Sequence, residues 1–360
     1  MTRMIIYIVS LMLSQTVIYG QNKTKQIDTV RPKNVILFIG DGMGLAQIHA
    51  ALTANNGELN MTKMPVTGLI KTYSIDNYIT DSGAGGTALA TGTKTKNGCI
   101  GVDSSGAPVK NIVEFAEDKG LSTGVISTCS IVHATPASFI AHERSREYYE
   151  NIAKDFLDVD VDVFIGGGYN VFGKRTDSID LVQQLKEKGY TVLTSIDSVK
   201  IFNGNKLAGL TAPEHNLRIS EGRGDMLLNS TAKAIEIVSK NNNGFFIMIE
   251  GSMIDWGGHE NNKDYVIQEL LDMDKAVKYA NEYAVKNKET LVIVTADHET
   301  GGLAIANGNY KTGLVDVTFT TTYHTGIMVP VFAYGPGSEL FSGVYDNTEI
   351  FKKIKYLLDL

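Results

Sequence analysis

Twice in this chain an apolar run of strand length stops at side chains that bind metals. FFIMI ends at Glu250 and continues as GSMIDWGGH, and TLVIV leads into TADHETGG. Runs of Val, Ile and Phe without polar alternation suit strands covered on both faces, as in a buried parallel sheet. The carboxyl ends of such strands are where that architecture places its chemistry. Asp255, His259, Asp297 and His298 therefore stand where direct metal ligands would stand. Carboxylate mixed with imidazole suits zinc, so the first expectation is metal-assisted hydrolysis.

The same logic organises the rest of the chain. VILFI, at residues 35–39, ends at Gly40 and Asp41, and further strands are expected over 68–74, 124–128, 161–165, 245–249, 290–295 and 329–334. Helical patterns fall between them, the clearest over 264–286, where Val266, Leu270, Met273, Val277 and Ala280 recur at three and four residues. This alternation predicts an α/β fold, a doubly wound, mostly parallel central sheet with helices on both faces. No convincing linker appears, so residues 34–360 are expected to form a single catalytic domain after a loose segment over 21–33. The stretch 195–224 lacks clean periodicity and is expected to hold irregular surface structure.

Residues 1–20 carry Arg3, an apolar core from Met4 to Leu13 and a short tail to Gly20. That pattern predicts an export signal peptide, with an apolar core too short to span a bilayer, and hence a periplasmic or extracellular protein. The net charge of −7 is spread without a basic block, which argues against a nucleic-acid partner. With only Cys99 and Cys129, no disulfide framework exists. An oxidising compartment would permit that one pair, whereas free thiols there would read as small buried apolar residues.

Six places carry possible chemistry. Asp41 follows the first strand among glycines in IGDGMG, suited to a carboxylate bridging cations, with helix capping as the alternative. Ser82 opens the small-residue stretch SGAGGTALATG. If that stretch is helical, the helix amino terminus would favour a bound phosphate and a developing alkoxide at Ser82. In HATPASFIAHERSR, His133 and Thr135 could serve a metal directly or through water, and Arg146 could grip a phosphate, with Arg144 as competitor and His142 structural. Glu250 ends one apolar run, and Asp255 and His259 lie four residues apart, so one helical turn can aim both at a single centre. Asp297 and His298 adjoin at the end of the other run, and His324 in TTYHTGIMVP is a plausible missing ligand. His49 and His215 have no ligand-like neighbours in sequence and are expected to be surface or core residues.

VILFIGDGMG, TDSGAGGTALATGTKT, HATPASFIAH, EGSMIDWGGH and TADHETGG, in this order, resemble the alkaline phosphatase family over roughly residues 34–337. The resemblance implies hydrolysis of phosphate monoesters through a phosphoserine at Ser82, using two zinc ions and one magnesium. It implies Asp255, His259 and His324 on the first zinc, and Asp41, Asp297 and His298 on the second beside Ser82. It also implies Asp41, Thr135 and Glu250 on magnesium, with His133 acting through a water, and Arg146 on the substrate. Some members have aspartate in place of His133 and lysine in place of Trp256, which leaves the third metal's identity open. Many relatives build a dimer-contacting crown between TADHETGG and the last histidine, and this chain is short there, so a reduced monomer or a homodimer is expected. A phosphodiesterase or sulfatase of the same broad fold is the nearest rival, although the CxPxR pattern of sulfatases is missing. A non-catalytic metal- or phosphate-binding protein is the more distant one.

Overall fold

The computed structural model describes residues 30–360, so the expected signal peptide lies outside the described residues. Fourteen strands occur among them: β1 Asn34–Gly40, β2 Val66–Lys71, β3 Ser122–Ser130, β4 Val163–Gly167, β5 Thr191–Leu193, β6 Leu207–Leu210 and β7 Phe245–Gly251, then β8 Thr290–Thr295, β9 Glu299–Thr300, β10 Ala304–Asn309, β11 Leu314–Thr318, β12 His324–Thr325, β13 Val329–Tyr334 and β14 Gly343–Asp346. Ten of these form one sheet in the order β14-β2-β13-β8-β1-β7-β3-β4-β6-β5. Only β13 runs against its neighbours, pairing antiparallel with β2 and β8, so the expectation of a mostly parallel α/β sheet holds. Every residue of β1, β7 and β8 is buried, as continuous apolar runs in a doubly covered sheet require. No helix among the described residues is long and apolar enough to cross a membrane.

Register places the chemistry. Ile39 of β1 lies level with Glu250 of β7 and Thr295 of β8, and Glu250 lies level with Ser127 of β3. The strand order reverses at β1, whose two neighbours are β7 and β8. The carboxyl ends of β8, β1, β7 and β3 therefore open side by side, the crevice such sheets use for ligands.

The long helix Lys263–Asn287 matches its expected span within one residue at each end and packs its apolar stripe on the sheet. The stretch 195–224 corrects the expectation of irregular surface structure. It contains the helix Ile196–Ile201 and the buried strand β6, which sits between β4 and β5. LAGL is too short to show a period, and β5 is shorter still. Gly209 fits there because Ile165 and Val199 would press to about 3.1 and 3.2 Å of any Cβ. The same stretch ends at buried Arg223, which pairs with Glu269, lies 2.9 Å from Asp272 and donates toward Met253 Sδ at 3.1 Å. Met253 opens the short helix carrying Asp255 and His259, so a stretch without visible pattern braces two of the expected ligands.

Between β9 and β12 the chain makes only the hairpin β10–β11, which lies against the helix Leu45–Ala54. Both cysteines are free, Cys129 buried and Cys99 partly so.

Candidate active site

Ser82 is the first residue of the helix Ser82–Thr91, capped by Asp81, whose carboxylate accepts from the Ala84 amide. Every residue of this helix is buried. Its glycines allow that packing: a Cβ on Gly85 would meet the Asp297 side chain at 3.1 Å, and one on Gly86 would meet Ser138 Oγ at 2.9 Å. Close seating brings Ser82 Oγ to 3.2 Å from His298 Nε2. The amides of the first turn lack intrahelical acceptors, so the hydroxyl sits at the positive end of the helix dipole.

Three groups of ligand-type side chains surround this serine, the ligand atoms within each lying within 4.8 Å of one another. Asp255, His259 and His324 make the first. Asp255 and His259 share one helical turn, Met253–His259, and His324 arrives on β12, paired with β9. His259 Nδ1 donates to the Thr322 carbonyl at 2.7 Å and His324 Nδ1 to the Thr80 carbonyl at 2.9 Å. Anchored so, both rings turn their Nε2 atoms inward, 3.2 Å apart, with Asp255 3.3 and 3.5 Å away. With both Nε2 atoms deprotonated, two lone pairs and a carboxylate could hold a cation between them.

Asp41, Asp297 and His298 make the second group, all fully buried. His298 Nε2 lies 3.4 Å from Asp41 and 3.2 Å from Asp297, and its Nδ1 faces the Thr300 hydroxyl at 3.2 Å. That hydroxyl donates to Asp255 at 2.5 Å, so one threonine orients ligands of both groups. The two groups adjoin because the rings of His298 and His324 stack with centroids 3.6 Å apart. Gly42 permits the arrangement: its φ is +71°, and a Cβ there would lie 2.7 Å from the Asp255 Cα. Asp41 caps no helix; the helix that follows is capped by Gly44.

Around Glu250 lie His133 and Cys129. Thr135 is fully buried nearby, and its hydroxyl, with those of Ser127 and Ser252, opposes the upward pull of burial on Glu250. Arg146 sets its guanidinium 3.0 Å from Asp81 and 3.4 Å from His133 Nε2, between the helix cap and this third group. Arg144 is exposed and reaches only toward the Gly106 carbonyl, outside the site. His142 bonds the Gly101 carbonyl and faces Glu114, a structural position. His49 is exposed and bonds Tyr310.

His215 departs from the expectation that it would have no ligand-like neighbours. Its ring meets Trp256 edge-on at 4.9 Å and His133 at 5.8 Å, and its Nδ1 accepts from the Ser130 amide. Tertiary packing brings it there from a loop, and nothing in its local sequence signals it. Asp81 and Thr300, each inside a recognised motif, were also missed: one holds Arg146 and the other faces both Asp255 and His298.

The polar atoms themselves test whether cations fit. Asp41 Oδ1 and Oδ2, Asp297 Oδ2, Glu250 Oε1, Thr135 Oγ1 and His133 Nδ1 are buried without a hydrogen-bond partner. Burying that many unsatisfied acceptors is costly unless positive charge lies among them. Imidazole plus carboxylate in the first two groups suits zinc, and the oxygen donors around Glu250 suit a hard cation such as magnesium.

Without cations the carboxylates repel. Burial, then the charges of Asp297, Asp255 and Glu250, raise Asp41 well above the usual carboxylate range. Burial and Asp255 push Asp297 up to about 7, and burial pushes Glu250 up to about 7. Burial would also raise Asp255, but its hydrogen bond with His259 and the nearby His298 and His324 hold it low, so it titrates below this window. Carboxylates with raised values bind protons more tightly folded than unfolded, where they titrate near ~4. The stability this gives the metal-free protein is present at low pH and lost as pH rises through about 7. Burial lowers His133, His298 and His324 instead, and these oppose the trend below their unfolded value of ~6.5, so the melting temperature of chelated protein should fall between about pH 6.5 and pH 8, while metal-loaded protein shows no such fall. Thermal unfolding in both states checks this, and chelated protein equally stable at both pH values would contradict it.

The chain matches the family model described as Alkaline phosphatase over residues 32–318 and 309–360. It is 34% identical to alkaline phosphatase 4 of Bacillus subtilis (strain 168), covering 92% of this chain and 90% of that protein. Identity to the alkaline phosphatase of Escherichia coli (strain K12) is 32%, over 91% and 86%. Among solved structures, the alkaline phosphatase of the Antarctic bacterium TAB5 superposes with a TM-score of 0.87 at 45% identity, covering 91% of this chain and 99% of that one. A TAB5 variant with a histidine changed to aspartate, which has magnesium bound in its M3 site, superposes equally well at 44% identity, over 92% and 99%.

Proposed function

This chain belongs to the alkaline phosphatase family of phosphoric monoester hydrolases, and on that premise we propose that it cleaves phosphate monoesters through a phosphoserine at Ser82, with two zinc ions and one magnesium. The observation that carries the reading is the position of Ser82 Oγ, at the head of a buried helix and 3.2 Å from His298, where two adjoining ligand groups meet. Asp255, His259 and His324 would hold one zinc; Asp41, Asp297 and His298 would hold the other. Asp41, Thr135 and Glu250 would hold magnesium, with His133 acting through a water. Magnesium in the M3 site of the TAB5 variant, where a histidine has become aspartate, supports a cation at a third site.

When bound, the cations neutralise phosphate charge, favour ionisation of the serine hydroxyl and of water, and stabilise the departing oxygen. The chain's own groups do the rest. Ser82 Oγ loses its proton to solvent and attacks phosphorus; the serine O–P bond forms as the bond to the alcohol oxygen breaks, and that alcohol leaves protonated by water. Water then attacks the phosphoserine from the opposite side, releasing phosphate and restoring the hydroxyl. The helix amino terminus favours both the alkoxide and the phosphoryl oxygens. Arg146, held by Asp81, presents a fork for two non-bridging oxygens.

Arg146→Ala should therefore raise KM and lower kcat/KM by about ten- to a hundredfold, less than loss of the nucleophile, because cations carry most of the charge stabilisation. Steady-state kinetics on an aryl phosphate checks this, and an unchanged kcat/KM would remove Arg146 from the substrate site.

Comparing rates on an aryl phosphate monoester, diester and sulfate tests the function. Monoester should dominate, and a faster diester or sulfate would overturn the reading. Residues 34–360 would act as one catalytic domain, exported by the signal in residues 1–20 to the periplasm or the extracellular space. With only the β10–β11 hairpin where a crown would stand, a monomer is favoured over a homodimer.

A further inference from the structure

Cys129 is free and buried, as expected of an unpaired cysteine, but its thiol has polar neighbours. It is the penultimate residue of β3, and its Sγ lies 3.0 Å from Ser127 Oγ, 3.3 Å from the Ser130 carbonyl and 3.8 Å from Glu250 Oε2 of the third group. Its sulfur, a His133 nitrogen and a Glu250 oxygen all lie within 4.8 Å of one another. Two further observations point to a ligand in the same place. Glu250 and Thr135 are both 0% exposed, and Glu250 Oε1 and Thr135 Oγ1 have no partner. No cationic side chain pairs with Glu250 among the described residues; its neighbours Ser127, Ser252, Thr135 and Cys129 are all neutral.

A site of oxygen atoms alone discriminates in favour of a hard cation, whereas an added sulfur and imidazole favour a borderline or soft one. We propose that Cys129 makes the third cation site of this chain a mixed sulfur, nitrogen and oxygen site that takes zinc or cobalt through the Cys129 thiolate in competition with magnesium. Binding replaces the thiol proton by the metal, and that proton goes to solvent. The other two groups contain no sulfur, so the thiol singles out one site of three. The inference rests on the proposed third cation site.

The chain's two cysteines make the test clean, since Cys99 instead donates to the Arg144 carbonyl at 3.4 Å. The full-length protein is stripped by chelation and titrated with cobalt(II), reading bound cobalt by elemental analysis and thiolate-to-cobalt charge transfer by near-ultraviolet absorption. The band should appear as the third ion enters, persist in Cys99→Ser and vanish in Cys129→Ser. Excess magnesium should displace the third cobalt about tenfold more readily from Cys129→Ser than from wild type. Three bound cobalt ions without the band in wild type would overturn the thiolate ligand and leave the three-cation reading intact. Saturation at two ions, again without the band, would overturn both. The wild-type spectrum decides the matter even if a variant folds poorly.

Discussion

Ser82→Ala is expected to lower kcat on an aryl phosphate by about a thousandfold or more while leaving metal content unchanged. The two halves of this expectation come from different parts of the geometry. Among the described residues Ser82 Oγ is the hydroxyl that combines a helix amino terminus with a place 3.2 Å from His298 Nε2, whereas the Thr300 hydroxyl near the same ring is engaged with Asp255. The three ligand groups are completed by other side chains, so removing one hydroxyl leaves the Asp255, His259 and His324 set and the Asp41, Asp297 and His298 set whole. The helix should also survive, since its cap is Asp81 and alanine suits its first turn. Kinetics paired with elemental analysis checks both halves. An alanine variant with unchanged turnover would remove Ser82 from the chemistry, and one that had lost zinc would make the serine a ligand first and a nucleophile second.

Asp255→Ala is expected to act in the opposite order, losing one zinc and with it turnover. Asp255 is the only carboxylate in its group, facing two histidine nitrogens 3.2 Å apart. Without it, two neutral imidazoles remain, and affinity should fall by at least about a hundredfold, beyond the loss typical of a group that merely orients a ligand. The damage should spread, because Asp255 accepts from Thr300, whose oxygen also faces His298. Asp255→Asn keeps the shape and the Thr300 contact and removes only the charge, so it should bind zinc better than the alanine variant and worse than wild type. Zinc titration of the three proteins orders them. Full zinc content in Asp255→Ala would contradict the assignment of this group.

The candidate metal groups were legible because their residues interrupt strong periodic patterns. Glu250, Asp297 and His298 end or follow apolar runs that can only be buried strands, and Asp255 and His259 follow at helical spacing. Asp41 was legible for the same reason. His324 and Arg146 lie outside such runs and were placed by the resemblance of whole motifs. What sequence did not disclose is what tertiary packing assembles. His215 crosses from a loop to Trp256, and the Cys129 thiol comes within 3.8 Å of Glu250 on the neighbouring strand. In the fold, β7 and β8 were readable because length and burial give an unbroken apolar run. The sheet strands β5 and β6 are three and four residues long, below the length at which a period declares itself. Arg223 was unreadable for a different reason: a buried arginine becomes intelligible only beside Glu269 and Asp272, which come from the long helix.

The account stands most directly on metal-dependent monoester hydrolysis. The measurement is p-nitrophenyl phosphate turnover at alkaline pH by the purified protein, before chelation, after it, and after zinc and magnesium are restored. Turnover that vanishes on chelation and returns with both metals is the predicted result. Turnover that persists in protein shown to be metal-free, or that is missing from fully loaded protein, would contradict the central claim.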